Sequence, residues 1–336
     1  MNRETAHGVG PVTHGSSDDP DLLDFSANTN PRTPPGVDEA YETALNAATS
    51  YPPEPPSEYR EAAAAYVGVA PEAVIPTPGG LAAIRMAIGL AVEPGDSALV
   101  PAPSFGEYAR EVRLQGGTPA FVPPAEITES DPGDYALAVV CNPNNPTGEA
   151  IDHGALRAFA RRCREGDTPL LVDEAFLGYT DRPSMAGTEG VVVARSLTKL
   201  FGLPGIRAGF AVATGSFGDA MENARRPWNL GAPALAVGSH AMRQTAFVEA
   251  TRTRVERERR RMRETLDGRF DVRESATPFL LLDVGDRPVG PLVAAVRERG
   301  IAVRDATTFR GLDSHIRVAV REPEENDRLL EVLLDV

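Results

Sequence analysis

Between residues 73 and 213, short apolar runs alternate with stretches of helical periodicity, and no other feature restricts the fold as much. Segments 98–100, 136–141, 170–172, 190–194 and 208–213 show no polar alternation, so as strands they are covered on both faces. The stretches 81–90, 104–115 and 154–162 between them read as helices. Alternation at this spacing predicts an α/β fold with a large domain built on a mainly parallel sheet. Residues 37–48 and 57–67 read as two further helices, separated by the proline-rich 51–56 and with Ser57 as a cap. Beyond residue 224 a long helical region leads to an apolar run at 279–284, a helix at 290–299 and strands near 301–303 and 316–320. This tail predicts a small α+β domain. The division expected is 1–40 as an N-terminal arm with part of the small domain, 41–244 as the large domain and 245–336 as the small one.

Open parallel sheets bind ligands at the carboxyl ends of their strands, and four such ends carry polar chemistry. The first, Thr77-Pro78-Gly79-Gly80-Leu81, turns into a helix whose first N–H groups could hold a phosphate, although a glycine turn of this kind is often only a turn. The second is Asn142-Pro143-Asn144-Asn145-Pro146-Thr147-Gly148, an irregular loop in which Asn145 can present an amide. The third ends in Asp173-Glu174-Ala175-Phe176, where Asp173 is either a helix cap or an acid facing a buried cation. The fourth is Ser196-Leu197-Thr198-Lys199, with Arg207 eight residues beyond. Arg207 suits a phosphate or an ordinary ion pair.

Lys199 is the only lysine in the chain, beside 33 arginines. An amine can shed its proton and condense with a carbonyl, which a guanidinium cannot, so a lone lysine among arginines is either a chance surface residue or a position where that chemistry is needed.

In order and spacing these four segments resemble the fold-type I pyridoxal-phosphate (PLP) enzymes of the class I/II aminotransferase group, across nearly the whole chain. The resemblance implies the aspartate aminotransferase fold, with a seven-stranded-type sheet. It also implies that Lys199 is the Schiff-base lysine and proton carrier, that Asp173 pairs with the pyridine nitrogen, and that Asn145 bonds the ring oxygen. By the same resemblance Phe105 would stack on the ring. The Gly80 and Leu81 amides, Ser196 and Arg207 would hold the cofactor phosphate, and Tyr51 would reach that of a neighbouring subunit in a homodimer with shared active sites. Arg317 would clamp a substrate carboxylate. Phe176 stands where the family often has a tyrosine that donates to the ring oxygen.

Two subfamilies are similar in detail: L-threonine-O-3-phosphate decarboxylase of cobalamin biosynthesis and histidinol-phosphate aminotransferase. Both imply a small phosphorylated amino substrate and a second anion site, for which Arg304 is the candidate, with His14, Asn28 and Tyr108 as further substrate contacts. The segments Thr13-His14-Gly15 and Asp24-Phe25-Ser26-Ala27-Asn28, together with Phe176, Pro227-Trp228-Asn229 and the tail Phe309-Arg310-Gly311-Leu312, resemble the decarboxylase more. Against it, Ser16 and Ser17 replace a glycine and an asparagine of its opening. The α-carbon bond held perpendicular to the cofactor ring is the one that breaks. The reaction is therefore decided by where Arg317, Arg304 and the arm hold the carboxylate and phosphate.

The chain has 336 residues and a formal net charge of −14, which argues against nucleic acid or an anionic membrane as partner. An acidic, arginine-rich, lysine-poor composition resembles proteins of a salt-rich cytoplasm. The first 30 residues show no signal pattern, so a cytoplasmic location is the default, and about 20 residues before the fold leave no room for the DNA-binding domain of a PLP-sensing regulator. Two cysteines supply neither a disulfide framework nor a metal site. The basic run 252–263 reads as a solvated helix laced with ion pairs, with Val255, Met262 and Leu266 as its apolar stripe.

Overall fold

The computed structural model describes residues 1–336. The arm contains helix α1 (Arg3–Ala6) and strand β1 (Leu23–Asp24), and is followed by α2 (Val37–Ala47) and α3 (Ser57–Val67). The central region runs β2 (Val74–Thr77), α4 (Gly80–Ala91), β3 (Ser97–Pro101), α5 (Glu107–Gln115), β4 (Thr118–Val122), β5 (Leu137–Cys141), α6 (His153–Glu165), β6 (Leu170–Asp173), β7 (Val191–Ser196) and β8 (Gly209–Val212). Then come α7 (Gly215–Ala224), α8 (Ala232–Met242), the long α9 (Thr245–Leu266), β9 (Asp271–Val272), β10 (Phe279–Asp283), α10 (Val289–Glu298), β11 (Ile301–Ala302), β12 (Arg304–Asp305), β13 (His315–Ala319) and α11 (Pro323–Asp335).

The central sheet has seven strands in the order β2-β8-β7-β6-β5-β3-β4, parallel except for β8, which runs antiparallel to both neighbours. Its strands alternate between two cores: Val139, Leu171 and Val192 face α4 and α5, while Val140, Val172 and Val193 join a larger core shared with the C-terminal elements. That is the double burial their unbroken apolar runs require. Strands β2 and β4 escape the sequence reading because both are edge strands containing proline (Pro76 and Pro119), which an edge tolerates and which blurs the pattern.

A second, antiparallel sheet has the order β12-β13-β10-β9. The arm joins this part of the chain, since β1 pairs in parallel with β11, Leu23 opposite Ile301. Ser57 is the first residue of α3 and does not cap it: Pro56 holds the cap position and no side chain supplies the bond. The stripe of α9 is buried as expected, with Val255, Met262 and Leu266 in the core. Its polar face is less solvated than the sequence suggests. Arg254 is buried and donates to Asn30 Oδ1 at 2.6 Å and to the Arg321 carbonyl at 2.9 Å. No helix is long and apolar enough to cross a membrane.

Candidate active site

The sheet brings the four polar strand ends to one edge. β5, β6 and β7 are parallel neighbours, so Asn145, Asp173 and Lys199 follow from adjacent carboxyl ends. β2 runs in the same direction two strands away, which sets the N-terminus of α4 beside Ser196. All of these residues line one cavity of about 730 Å³.

Asp173 is buried, and its two oxygens settle the alternatives left by the sequence. Oδ1 accepts the Ala175 N–H at 3.0 Å, a cap-like bond, while Oδ2 accepts the Tyr108 hydroxyl at 2.6 Å. Burial pushes its carboxyl up, opposed by the Tyr108 hydroxyl, the Ala175 N–H and the charge of Lys199. Tyr108 is buried in the cavity wall, with its hydroxyl committed to Asp173.

The Lys199 turn is pinned through its carbonyl, which accepts from the Tyr179 hydroxyl at 2.8 Å and the Asn30 N–H at 3.0 Å. Its Nζ lies 5.9 Å from the centroid of Phe176. Burial lowers the ammonium to about 8, with Arg317 and Arg207 pushing the same way and Asp173 opposing. A neutral amine is thus accessible near neutral pH, as a nucleophile requires.

The Gly80 and Leu81 N–H groups at the start of α4, the Ser196 hydroxyl and the Arg207 guanidinium form a cup of donors without a carboxylate. Gly79 makes room for it: at φ +88° an L side chain is strained, and a Cβ there would stand 2.8 Å from Arg207 Nη2.

Arg317, on β13, is buried and donates to the Ser26 carbonyl at 3.1 Å and to Asn145 Oδ1. Asn28 is buried in the cavity wall with Oδ1 unpartnered, an acceptor awaiting a donor. Arg304 donates to the carbonyls of Thr13 (2.8 Å) and His14 (3.1 Å) and to Thr308 Oγ1 (2.8 Å), so it binds the arm over the cavity and its Nε is left without a partner. His14 meets Glu107 Oε1 at 3.1 Å and lies 5.8 Å from Phe105, ring to ring. Tyr51 is outside this chain's cavity; it is 81% exposed and packs 4.7 Å from Trp228.

Sequence reasoning missed part of the wall. Phe309 stands between Arg304 and Arg317, 5.5 and 5.7 Å from their guanidinium carbons, and Arg113 and Arg310 stand at the mouth around Phe121. Phe309 and Arg310 belong to the tail motif Phe309-Arg310-Gly311-Leu312, which gave no hint of a place in the wall, and no local signal marks Arg113 or Phe121. In all, six cationic side chains (Arg113, Lys199, Arg207, Arg304, Arg310 and Arg317) line the cavity against the single carboxylate of Asp173. None of the five arginines makes an ion pair, in a chain whose net charge is −14.

This donor set suits PLP. The cup matches a phosphate, the buried acid a protonated ring nitrogen, Asn145 a ring oxygen and the lowered amine an aldehyde. Fold and site together define a pyridoxal-phosphate enzyme of the aspartate aminotransferase fold. The chain belongs to the class I and II aminotransferase family, which it matches over residues 20–333. It is 33% identical over 323 residues to a histidinol-phosphate aminotransferase of Methanoculleus marisnigri, covering 92% of this chain and 89% of that one. It is 32% identical over 333 residues to a provisionally assigned threonine-phosphate decarboxylase of Caldanaerobacter subterraneus, covering 91% and 88%. Among solved structures, the histidinol-phosphate aminotransferase of Clostridium acetobutylicum superposes with a TM-score of 0.87 at 24% identity, covering 94% and 98%.

Proposed function

We propose that the enzyme decarboxylates L-threonine O-3-phosphate to 1-aminopropan-2-yl phosphate, a reaction of cobalamin biosynthesis. The observation that carries this reading is the cavity's excess of unpaired arginines, which fits a substrate bearing two anionic groups. Bound PLP would supply an electron sink for the pair released at the substrate's α-carbon. Lys199 is the residue that would hold the cofactor's aldehyde, and its Nζ would carry the proton that replaces the lost carboxylate. Asp173, oriented by Tyr108, would keep the ring nitrogen protonated; Asn145 and Phe105 would hold and cover the ring, and Gly80, Leu81, Ser196 and Arg207 would hold its phosphate. Arg317 takes the substrate carboxylate, and the Asn28 amide oxygen accepts from the amine.

The arm favours a small substrate. Gly15 threads so closely between Ser26 and Arg317 that a Cβ there would stand 2.3 Å from the Ser26 carbonyl oxygen and 3.3 Å from Arg317 Nη2. With Arg304 holding the adjoining carbonyls, the segment closes over the carboxylate clamp. We further propose a homodimer in which Tyr51, exposed beside Trp228, reaches the partner's cofactor phosphate. The chain would then divide into an arm at 1–40, a large domain at 41–244 and a small one at 245–336.

A second reading, histidinol-phosphate aminotransferase, is favoured by the 33% identical relative from Methanoculleus marisnigri and by others of that name. The carboxylate clamp does not separate the two, since glutamate, the product of transamination with 2-oxoglutarate, also presents a carboxylate. The test is to supply threonine phosphate alone and, separately, histidinol phosphate with 2-oxoglutarate. Carbon dioxide and aminopropanol phosphate in the first reaction support the decarboxylase. Glutamate formed only in the second replaces it with the aminotransferase.

A further inference from the structure

At the outer end of the cavity, two arginines share one aromatic ring. Arg310, in the loop before β13, places its guanidinium carbon 4.3 Å from the centroid of Phe121, and Arg113, in the last turn of α5, places its own at 5.8 Å. Phe121 lies on the edge strand β4 and is 38% exposed. The cluster therefore joins the central sheet to the C-terminal part of the chain, across the mouth of the cavity.

A guanidinium attracted to a ring by its charge spends none of its N–H donors on a conventional acceptor. Neither Arg113 nor Arg310 uses them on a side-chain hydrogen bond or an ion pair, although acidic residues outnumber basic ones 48 to 34. Both charges lie on one ring, within roughly a Debye length of each other, so they repel until an anion sits between or beside them. The inner arginines are differently occupied. Arg317 is bonded to Ser26 and Asn145, and Arg304 holds Thr13, His14 and Thr308. Each inner arginine keeps only a buried Nε without a partner, whereas at the mouth two whole guanidinium groups are uncommitted.

We propose that Arg113 and Arg310, held on Phe121, form the seat for the phosphate monoester end of the substrate and so determine its selection over unphosphorylated amino acids. The assignment rests on reading the cavity as a site for a phosphorylated amino compound, and it moves the phosphate contact from Arg304 to the mouth.

The experiment titrates the PLP-loaded enzyme with propyl phosphate by calorimetry and with L-2-aminobutyrate by the change in cofactor absorbance. In Arg113→Gln/Arg310→Gln, propyl phosphate affinity falls by roughly tenfold or more, the loss expected from removing charge-assisted donors at a partly exposed site. Aminobutyrate binding is unchanged, and added sodium chloride weakens propyl phosphate binding to the parent. Unaltered propyl phosphate affinity in the double variant overturns the assignment. So does an equal loss for both ligands, which would make the cluster a latch between the two parts of the chain, and so does a parent that does not bind propyl phosphate. Binding of propyl phosphate that depends on Arg113 and Arg310, without carbon dioxide release from threonine phosphate, keeps the subsite and removes only the decarboxylase reading.

Discussion

The Tyr108 hydroxyl donates to Asp173 Oδ2 at 2.6 Å beneath the cavity, and both residues are buried. This bond opposes the effect of burial on Asp173, so its removal lets the carboxyl rise further. Tyr108→Phe should fold normally and lose roughly tenfold in kcat/KM, the scale of one hydrogen bond to a buried charge. The acid limb of its pH–rate profile should move to higher pH. An unmoved limb would show that the hydroxyl does not tune Asp173.

Lys199 weakens the fold in order to serve the site. Its ammonium is lowered from 10.5 to about 8 by burial, so the folded state is penalised wherever the unfolded lysine is protonated. The penalty is fully present below about pH 8 and is relieved as pH rises from 8 towards 10.5. Cofactor-free Lys199→Met should therefore be the more stable protein at pH 7, by at most about 3 kcal/mol, and inactive. Its advantage in urea unfolding should shrink above pH 8. An advantage that grows with pH would contradict this account.

Glu174 and Arg195 form a buried ion pair at 2.8 Å, with Glu174 also accepting from Ser184 Oγ at 2.6 Å and the Met185 N–H at 2.7 Å. Glu174→Gln leaves a guanidinium buried without a counter-charge and should cost about 3 kcal/mol. The measurement is the denaturant midpoint, and a shift equivalent to less than 1 kcal/mol would mean that water reaches Arg195.

Gly209 faces backbone on every side: a Cβ there would stand 2.6 Å from the Arg195 carbonyl oxygen and 2.8 Å from the Gly80 nitrogen. Gly209→Ala should push the start of α4 away from Ser196, lowering Tm and weakening cofactor retention together. Dialysis against buffer, followed by absorbance of the bound cofactor, reads the second effect.

What the sequence determined alone is whatever one strand end carries by itself. The unbroken apolar runs required a doubly covered sheet, and the polar residues after them had to gather at its carboxyl edge. Asn145, Asp173, Lys199 and Arg207 were legible for that reason, and so were the arm and the C-terminal Arg317, through their motifs. The tertiary structure decided which of two chemically equal options each side chain takes. Asp173 is a buried acid held by a local turn bond and by Tyr108 arriving from α5; Tyr108 spends its hydroxyl on that acid; Arg304 binds the arm because Thr13 and His14 pass within reach of it. That Arg113, Phe121 and Arg310 form a mouth was not legible beforehand, even though Arg310 sits in the tail motif, since the three come from distant segments with no shared period. Periodicity and motifs report contacts close along the chain or repeated by it. An arginine's partner in space is set by packing between distant segments, which composition and spacing do not encode.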